Sequence, residues 1–354
     1  MSAHHPLAKS TSRLSFLLLS ALVGLLTLSM ACGGDDGGDG TRQKVSVQLD
    51  WTPNTNHIGI YVALAKGWYE DAGLAVDILP YTDAGNADTI VANGNADFGV
   101  SFPPALIYSR AAGLDLVSVA GVLQKNVTEL AVMGDSGLTR PRDFDGKTYA
   151  GFGLPFEAPQ ITTVIKADGG KGEFDSAVLS TAAYEALYNK RADFTEIFVA
   201  WEGVEAKLRG INLRTFRYDA YGVPDYPSVV LVAKRENVTA KADLYRKFLE
   251  VTQRGYEYAS TNPVDAAKTF VDYLPKGSFP EADMVRLSTE MLAPVFVDAT
   301  KKWGSQDAVK WDAYTKWLLG QGVVTDSSDK VVTQLPGGPL YTNELLPRPS
   351  AIAP

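Results

Sequence analysis

From Lys44 onward, short β-branched runs alternate with helix-patterned segments that stop at glycine, and this alternation restricts the chain to an α/β fold on largely parallel sheets. Residues 45–49 read as a first strand. Residues 58–66 and 68–72 follow helical spacing and end at Gly67 and Gly73, which suit the left-handed position beyond a helix C-terminus. A second strand (75–79), a short helix (88–93), a third strand (97–100), a helix (105–112) and a fourth strand (116–122) follow. The same order restarts near Gly137, with a polar stretch (138–147), a strand (148–152), a helix (158–167) and a strand (178–180). Asn93-Gly94-Asn95-Ala96-Asp97-Phe98 has a counterpart in Asn189-Lys190-Arg191-Ala192-Asp193-Phe194, so the two units read as copies of one architecture, although three consecutive matches also lie within chance. Residues 229–233 form an apolar strand returning to the first unit. Residues 240–319 are helical in pattern, broken at Asn262-Pro263 and Gly277, and Trp303, Trp311 and Trp317 in that region read as packing residues. The organisation expected is a first lobe (44–136 with 229–326), a second lobe (137–228) and an extended tail (327–354). Such a pair of lobes, joined by a hinge, encloses a cleft for a small molecule.

Composition excludes several other roles. The net charge is -8, with 33 Lys and Arg against 41 Asp and Glu, so nothing attracts a nucleic acid. The single Cys32 rules out an intramolecular disulfide or a cysteine metal site. Of the three histidines, His4 and His5 fall in a leader, which leaves His57 and no two-histidine metal site. A Ser-His-Asp set is still countable. No cofactor is expected. The leader carries Lys9 and Arg13, runs apolar over 14–31 and ends at Cys32, after which a Gly/Asp tract reads as a flexible tether over 32–43. This resembles a bacterial lipoprotein signal with Cys32 as the lipidated residue, except that Leu28 lies one place further from the cysteine than usual. The expectation is an exported monomer held by a lipid at Cys32 to the outer face of the cytoplasmic membrane, or free in the periplasm.

Loops at strand ends carry ligand sites in open α/β sheets. Asp50-Trp51-Thr52-Pro53-Asn54-Thr55-Asn56-His57 follows the first strand and offers an indole, amides and an imidazole, although Asn56 could equally cap the next helix and Trp51 could equally pack. Asp83 lies in the loop after the second strand and Phe102 after the third. In Gly151-Phe152-Gly153-Leu154-Pro155-Phe156-Glu157 the glycines and the following helix N-terminus could hold a polar group, but the Lys-Ser/Thr of a phosphate loop is missing. Trp201 and Glu202 end another strand, and Tyr221 and Tyr226 lie on the path back to the first lobe. Phe and Tyr faces suit a flat ring, and Glu157 or Glu202 could accept from an exocyclic amine; a helix-dipole role for Glu202 fits as well.

Residues 45–73, the Ala96-Asp97-Phe98-Gly99-Val100 stretch and the Trp201-Glu202-Gly203 region resemble the substrate-binding proteins of the thiamine-pyrimidine-precursor family, related to the sulfonate- and taurine-binding proteins of ABC importers. The resemblance spans most of 44–320 and is most specific at Asp50–His57. It implies a type II periplasmic-binding fold, capture of an aminopyrimidine and delivery to a membrane permease. Matched by position, Trp51, Asn54, His57 and Tyr61 fall on its first-lobe motif, and Glu157, Trp201 and Glu202 on its second-lobe loops. Relatives carry other flat heterocycles such as riboflavin, and alkanesulfonates. An enzyme branch builds the thiamine pyrimidine from pyridoxal phosphate and its own histidine, but it also carries a C-terminal cysteine cluster that is missing here.

Overall fold

The computed structural model describes residues 42–81, 86–279 and 282–347, so the leader with Cys32 and the loop with Asp83 lie outside the described residues. The first lobe begins with strand β1 (Gln43–Gln48), a 3-10 turn (Thr55–His57) and helices α1 (Ile58–Ala65) and α2 (Trp68–Asp71). Strand β2 (Leu74–Leu79), helix α3 (Ala87–Ala92), β3 (Phe98–Ser101), α4 (Pro103–Ala111) and β4 (Leu116–Gly121) follow. Gly67 and Gly73 take φ of 71° and 72°, the left-handed backbone that lets α1 and α2 stop within a few residues.

The second lobe comprises β5 (Thr128–Met133), β6 (Thr148–Gly151), α5 (Glu157–Ala167), β7 (Asp175–Val178), α6 (Ala182–Tyr188), β8 (Phe194–Phe198), α7 (Glu202–Leu208) and β9 (Leu213–Arg217). Strand β10 (Val230–Lys234) then re-enters the first sheet, followed by α8 (Arg235–Ala240), α9 (Ala242–Thr261), α10 (Pro263–Tyr273), α11 (Ala282–Leu292) and α12 (Ala308–Gly320).

The two sheets have one topology. Their orders are β2-β1-β3-β10-β4 and β7-β6-β8-β5-β9, and in each the fourth strand is antiparallel to its neighbours and arrives from the other lobe. The repeated Ala-Asp-Phe occupies equivalent places. The Asp97 carboxylate accepts from the Ser46 amide (3.0 Å), and that of Asp193 from the Thr148 amide (2.8 Å), so each aspartate ties the start of the third strand to the first. Each phenylalanine stacks in its own core, Phe98 on Phe248 and Phe194 on Phe144. The two copies of the motif thus do the same structural work in the two sheets.

Two expectations need correction. The second lobe starts before Thr128, not at 137, because β5, a segment unassigned from sequence, pairs with β8 and β9; a short strand carries no local signal of which sheet it will join. The hinge is therefore the pair of segments 122–127 and 222–229. These are bonded together by Val122 N–H to the Val229 carbonyl (2.8 Å) and Asn126 N–H to Asp225 (2.9 Å). From α12, Lys310 adds bonds to the Gln124 carbonyl and to Asp225. That helix does not belong to the first lobe alone, since its Tyr314 and Leu318 pack in the core of the second. The extended tail expected from residue 327 is tied down along its described part. Arg110, buried, donates to the carbonyls of Leu116, Pro336 and Gly338, and Tyr341 stacks on Trp311 at 5.8 Å. The Ser118 amide and carbonyl pair with Leu340 and Thr342, which covers the open edge of β4.

Candidate functional site

Strand ends of both lobes face one another across a cavity of about 410 Å³. Its first-lobe wall comes from the loop after β1. Asn54 caps the 3-10 turn, its side chain accepting from the Asn56 N–H (2.8 Å), and this leaves the Trp51 indole half-buried at the cavity wall. Trp51 lies 4.7 Å from Tyr81 and meets Phe152 of the other lobe edge-on at 6.5 Å. Phe102 and Phe198 make a second aromatic pair across the cleft at 6.2 Å.

Of the residues singled out from sequence, Trp51, Asn54, Phe102, Phe152, Trp201, Glu202 and Tyr226 line the cavity. His57 does not. It is fully buried, its Nδ1 accepts from the Asn54 amide (3.2 Å), and Nε2 therefore carries the proton given to Asp50 Oδ1 at 2.7 Å. Its work is to orient Asp50, which does reach the cavity. Tyr61 is buried against Phe270 and Tyr273 in the helical layer, where burial raises its hydroxyl to about 12. Glu157 occupies the place foreseen for a polar ligand group: its carboxylate takes the amides of Phe152, Gly153 and Leu154 (2.9, 2.9 and 3.0 Å) and so closes the loop internally. Gly153 sits in that loop with φ 78°, against Val178 and away from the cavity wall. Tyr221 packs against the second-lobe core instead of the cavity.

Sequence reasoning missed Glu196, Tyr184 and Thr128. Glu196 lies on β8 one position from buried Thr195 and Ile197, and a charged residue between buried neighbours was the available signal. It accepts from the Tyr218 hydroxyl at 2.5 Å. Glu202, at the start of α7, accepts from the Phe198 amide at 2.9 Å, and the Tyr184 hydroxyl reaches it as well. Burial, with help from neighbouring acids, raises both glutamates to about 7. Burial, then the charges of Glu202 and Glu196, push the Tyr184 hydroxyl upward. Among the described residues, no Lys, Arg or His lines the cavity.

The raised carboxyls set a pH dependence. A glutamate at 4.5 when unfolded and about 7 when folded favours the folded state fully below 4.5 and loses that contribution as pH rises through 7. Glu202→Gln keeps an acceptor for Phe198 and removes the titration. Denaturant unfolding should find this variant more stable than the parent at pH 8 by on the order of 3 kcal/mol, with the gap largely gone at pH 5. A gap that is the same at both pH values would disprove the assignment.

The family described as NMT1/THI5 like matches residues 54–266. A formylaminopyrimidine-binding protein of Halalkalibacterium halodurans is 27% identical over 329 residues, covering 90% of this chain and 99% of that protein. A 4-amino-5-hydroxymethyl-2-methylpyrimidine phosphate synthase of Saccharomyces cerevisiae is 25% identical, covering 67% of this chain and 73% of the enzyme. Among solved structures, the periplasmic aliphatic sulphonate binding protein of Escherichia coli superposes with a TM-score of 0.59 at 15% identity, over 88% of this chain and 98% of that one. The fold is thus that of the periplasmic binding proteins.

Proposed function

This chain belongs to the NMT1/THI5-like family, and from that premise we propose that it is an extracytoplasmic solute-binding protein that captures a thiamine-type aminopyrimidine and hands it to an ABC permease. The observation that carries the reading is the cavity itself: a slot between two hinged lobes, walled by aromatic faces and supplied with carboxyl acceptors. Flat rings gain dispersion and offset stacking from Trp51, Tyr81 and Phe152, and an exocyclic amine finds acceptors in Glu196, Glu202 and Asp50. Export and lipid attachment at Cys32 belong to the same proposal and rest on the leader sequence. Among the described residues no helix is long and apolar enough to cross a membrane.

Two other readings fit less well. A sulfonate needs cationic or N–H-rich contacts, and among the described residues no Lys or Arg lines the cavity, while the amides of the 152–154 loop are taken by Glu157. A synthase acting through its histidine needs that ring open to the cavity, whereas His57 is buried with both nitrogens engaged. The test is calorimetric titration of the protein from Gly33 onward, stripped of carried-over ligand by a denaturing wash, with formylaminopyrimidine, hydroxymethylpyrimidine, thiamine, riboflavin and taurine. Binding of an aminopyrimidine, with stabilisation that grows with ligand concentration, is the expected result. Binding of taurine or riboflavin alone would replace the ligand assignment.

A further inference from the structure

An aromatic cavity that only stacked a neutral ring would be better served by amides or hydroxyls than by acids, because a buried carboxylate without a cation is costly. Here Asp50, Glu196 and Glu202 reach the cavity from both lobes, and no base lines it among the described residues. Resting on the ligand-binding reading above, we propose that the cleft selects a heterocycle that carries a positive charge, with Glu196 and Glu202 as the specificity-determining pair.

Among the described residues, no Lys, Arg or His stands with the two glutamates in the cavity lining. Glu196 faces Tyr218, Tyr149 on β6, Glu157 on α5, Tyr226 from the hinge and Tyr314 on α12. Glu202 faces Glu205 on its own helix and, on α6, Tyr184 and Tyr188. Arg209, at the far end of α7, is held by Glu185 (2.6 Å) and Glu205 (3.3 Å) outside the cavity lining. Each carboxyl nonetheless meets donors that favour its anion, the Tyr218 hydroxyl on one and the Phe198 amide on the other. The pair is therefore arranged to be anionic, and a cation arriving with the ligand supplies the missing partner. Burial, with Glu157 and Glu202 beside Glu196 and Glu205 beside Glu202, raises both carboxyls to about 7, so the anions that form above that pH lack a compensating charge.

A near-isosteric pair of probes isolates charge from shape: 4-amino-5-aminomethyl-2-methylpyrimidine, whose side chain is an ammonium, and the 5-hydroxymethyl compound, which is neutral there. At pH 8 the ammonium compound should bind roughly tenfold or more tightly, as a charge-assisted contact implies. The ratio should fall as pH drops to 5.5 and the glutamates take up protons. In the Glu196→Gln/Glu202→Gln protein the ratio should collapse toward one, with both compounds weakened because the glutamine amides are poorer acceptors for the exocyclic amine that the two share. If the neutral compound binds as well as the ammonium compound, or the preference survives in the double variant, this inference is overturned and the aminopyrimidine reading stands. If neither compound binds the parent protein at any pH, this inference is overturned, and if formylaminopyrimidine and thiamine fail as well, so is the aminopyrimidine reading.

Discussion

Replacing Gly255 with alanine is expected to destabilise the protein by roughly 3 kcal/mol, lowering the melting temperature by on the order of 5–10 °C. Gly255 lies on α9 where that helix crosses α1, and a Cβ there would overlap the Gly59 carbonyl oxygen and come within 2.8 Å of its carbon and 3.2 Å of its Cα. Backbone cannot change rotamer, so the helices must separate, and the loss of close packing spreads along both. Separation also reaches the site. The next residue, Tyr256, donates to the Asn56 carbonyl at 2.7 Å and stacks on Trp303 at 4.7 Å, so α9 supports the loop that presents Trp51 from beneath. Gly320→Ala is the control, since nothing lies within 4 Å of a Cβ at that helix end. Thermal and urea unfolding of both variants would decide the matter, and an unchanged midpoint for Gly255→Ala would mean that the crossing is looser than described.

Trp51→Ala should cost binding instead of stability. The indole is half-buried, rests on Tyr81 and closes edge-on against Phe152 of the opposite lobe, so it contributes to the ligand slot more than to either core. Loss of an aromatic anchor in such a place typically costs about 2–4 kcal/mol of affinity, or on the order of a hundredfold in Kd for the aminopyrimidine. The melting temperature of the ligand-free protein should move by no more than about 2 °C, the effect of roughly half a kcal/mol. Tyr61→Phe makes the useful contrast, because its hydroxyl lies in the helical layer and affinity should not change. Equal losses of affinity and stability in Trp51→Ala would reassign the residue to the core.

Much of the framework was legible in the sequence because its causes are local. Runs such as Val45-Ser46-Val47 and Ala75-Val76 have the residues of a strand, and Gly67 and Gly73 end their helices through backbone conformations that glycine adopts freely. The loop after β1 was recognised as part of the site because a strand end in an open sheet leads to the ligand cleft by topology.

The rest depended on partners distant in the chain. His57 and Glu157 were chemically plausible ligand contacts, and both prove to be spent on internal bonds, to Asp50 and Asn54 in one case and to three loop amides in the other. Glu196 went unnoticed because a charge inside a strand acquires meaning only when Glu202, Tyr184 and Tyr218 are brought around it. The crossing point between lobes was misplaced for a related reason. Thr128–Met133 goes unassigned from sequence between the fourth strand and Gly137, and its sheet is chosen by the open edges it meets after the chain has folded. The sequence by itself therefore determined most of the first-lobe strands and helices and the likeness of the two halves, since hydrogen bonding and side-chain periodicity act over a few residues, but not β5 or β9. Tertiary structure alone decided which polar groups are satisfied from within and which remain to meet a ligand, because burial and charge compensation are properties of the assembled site.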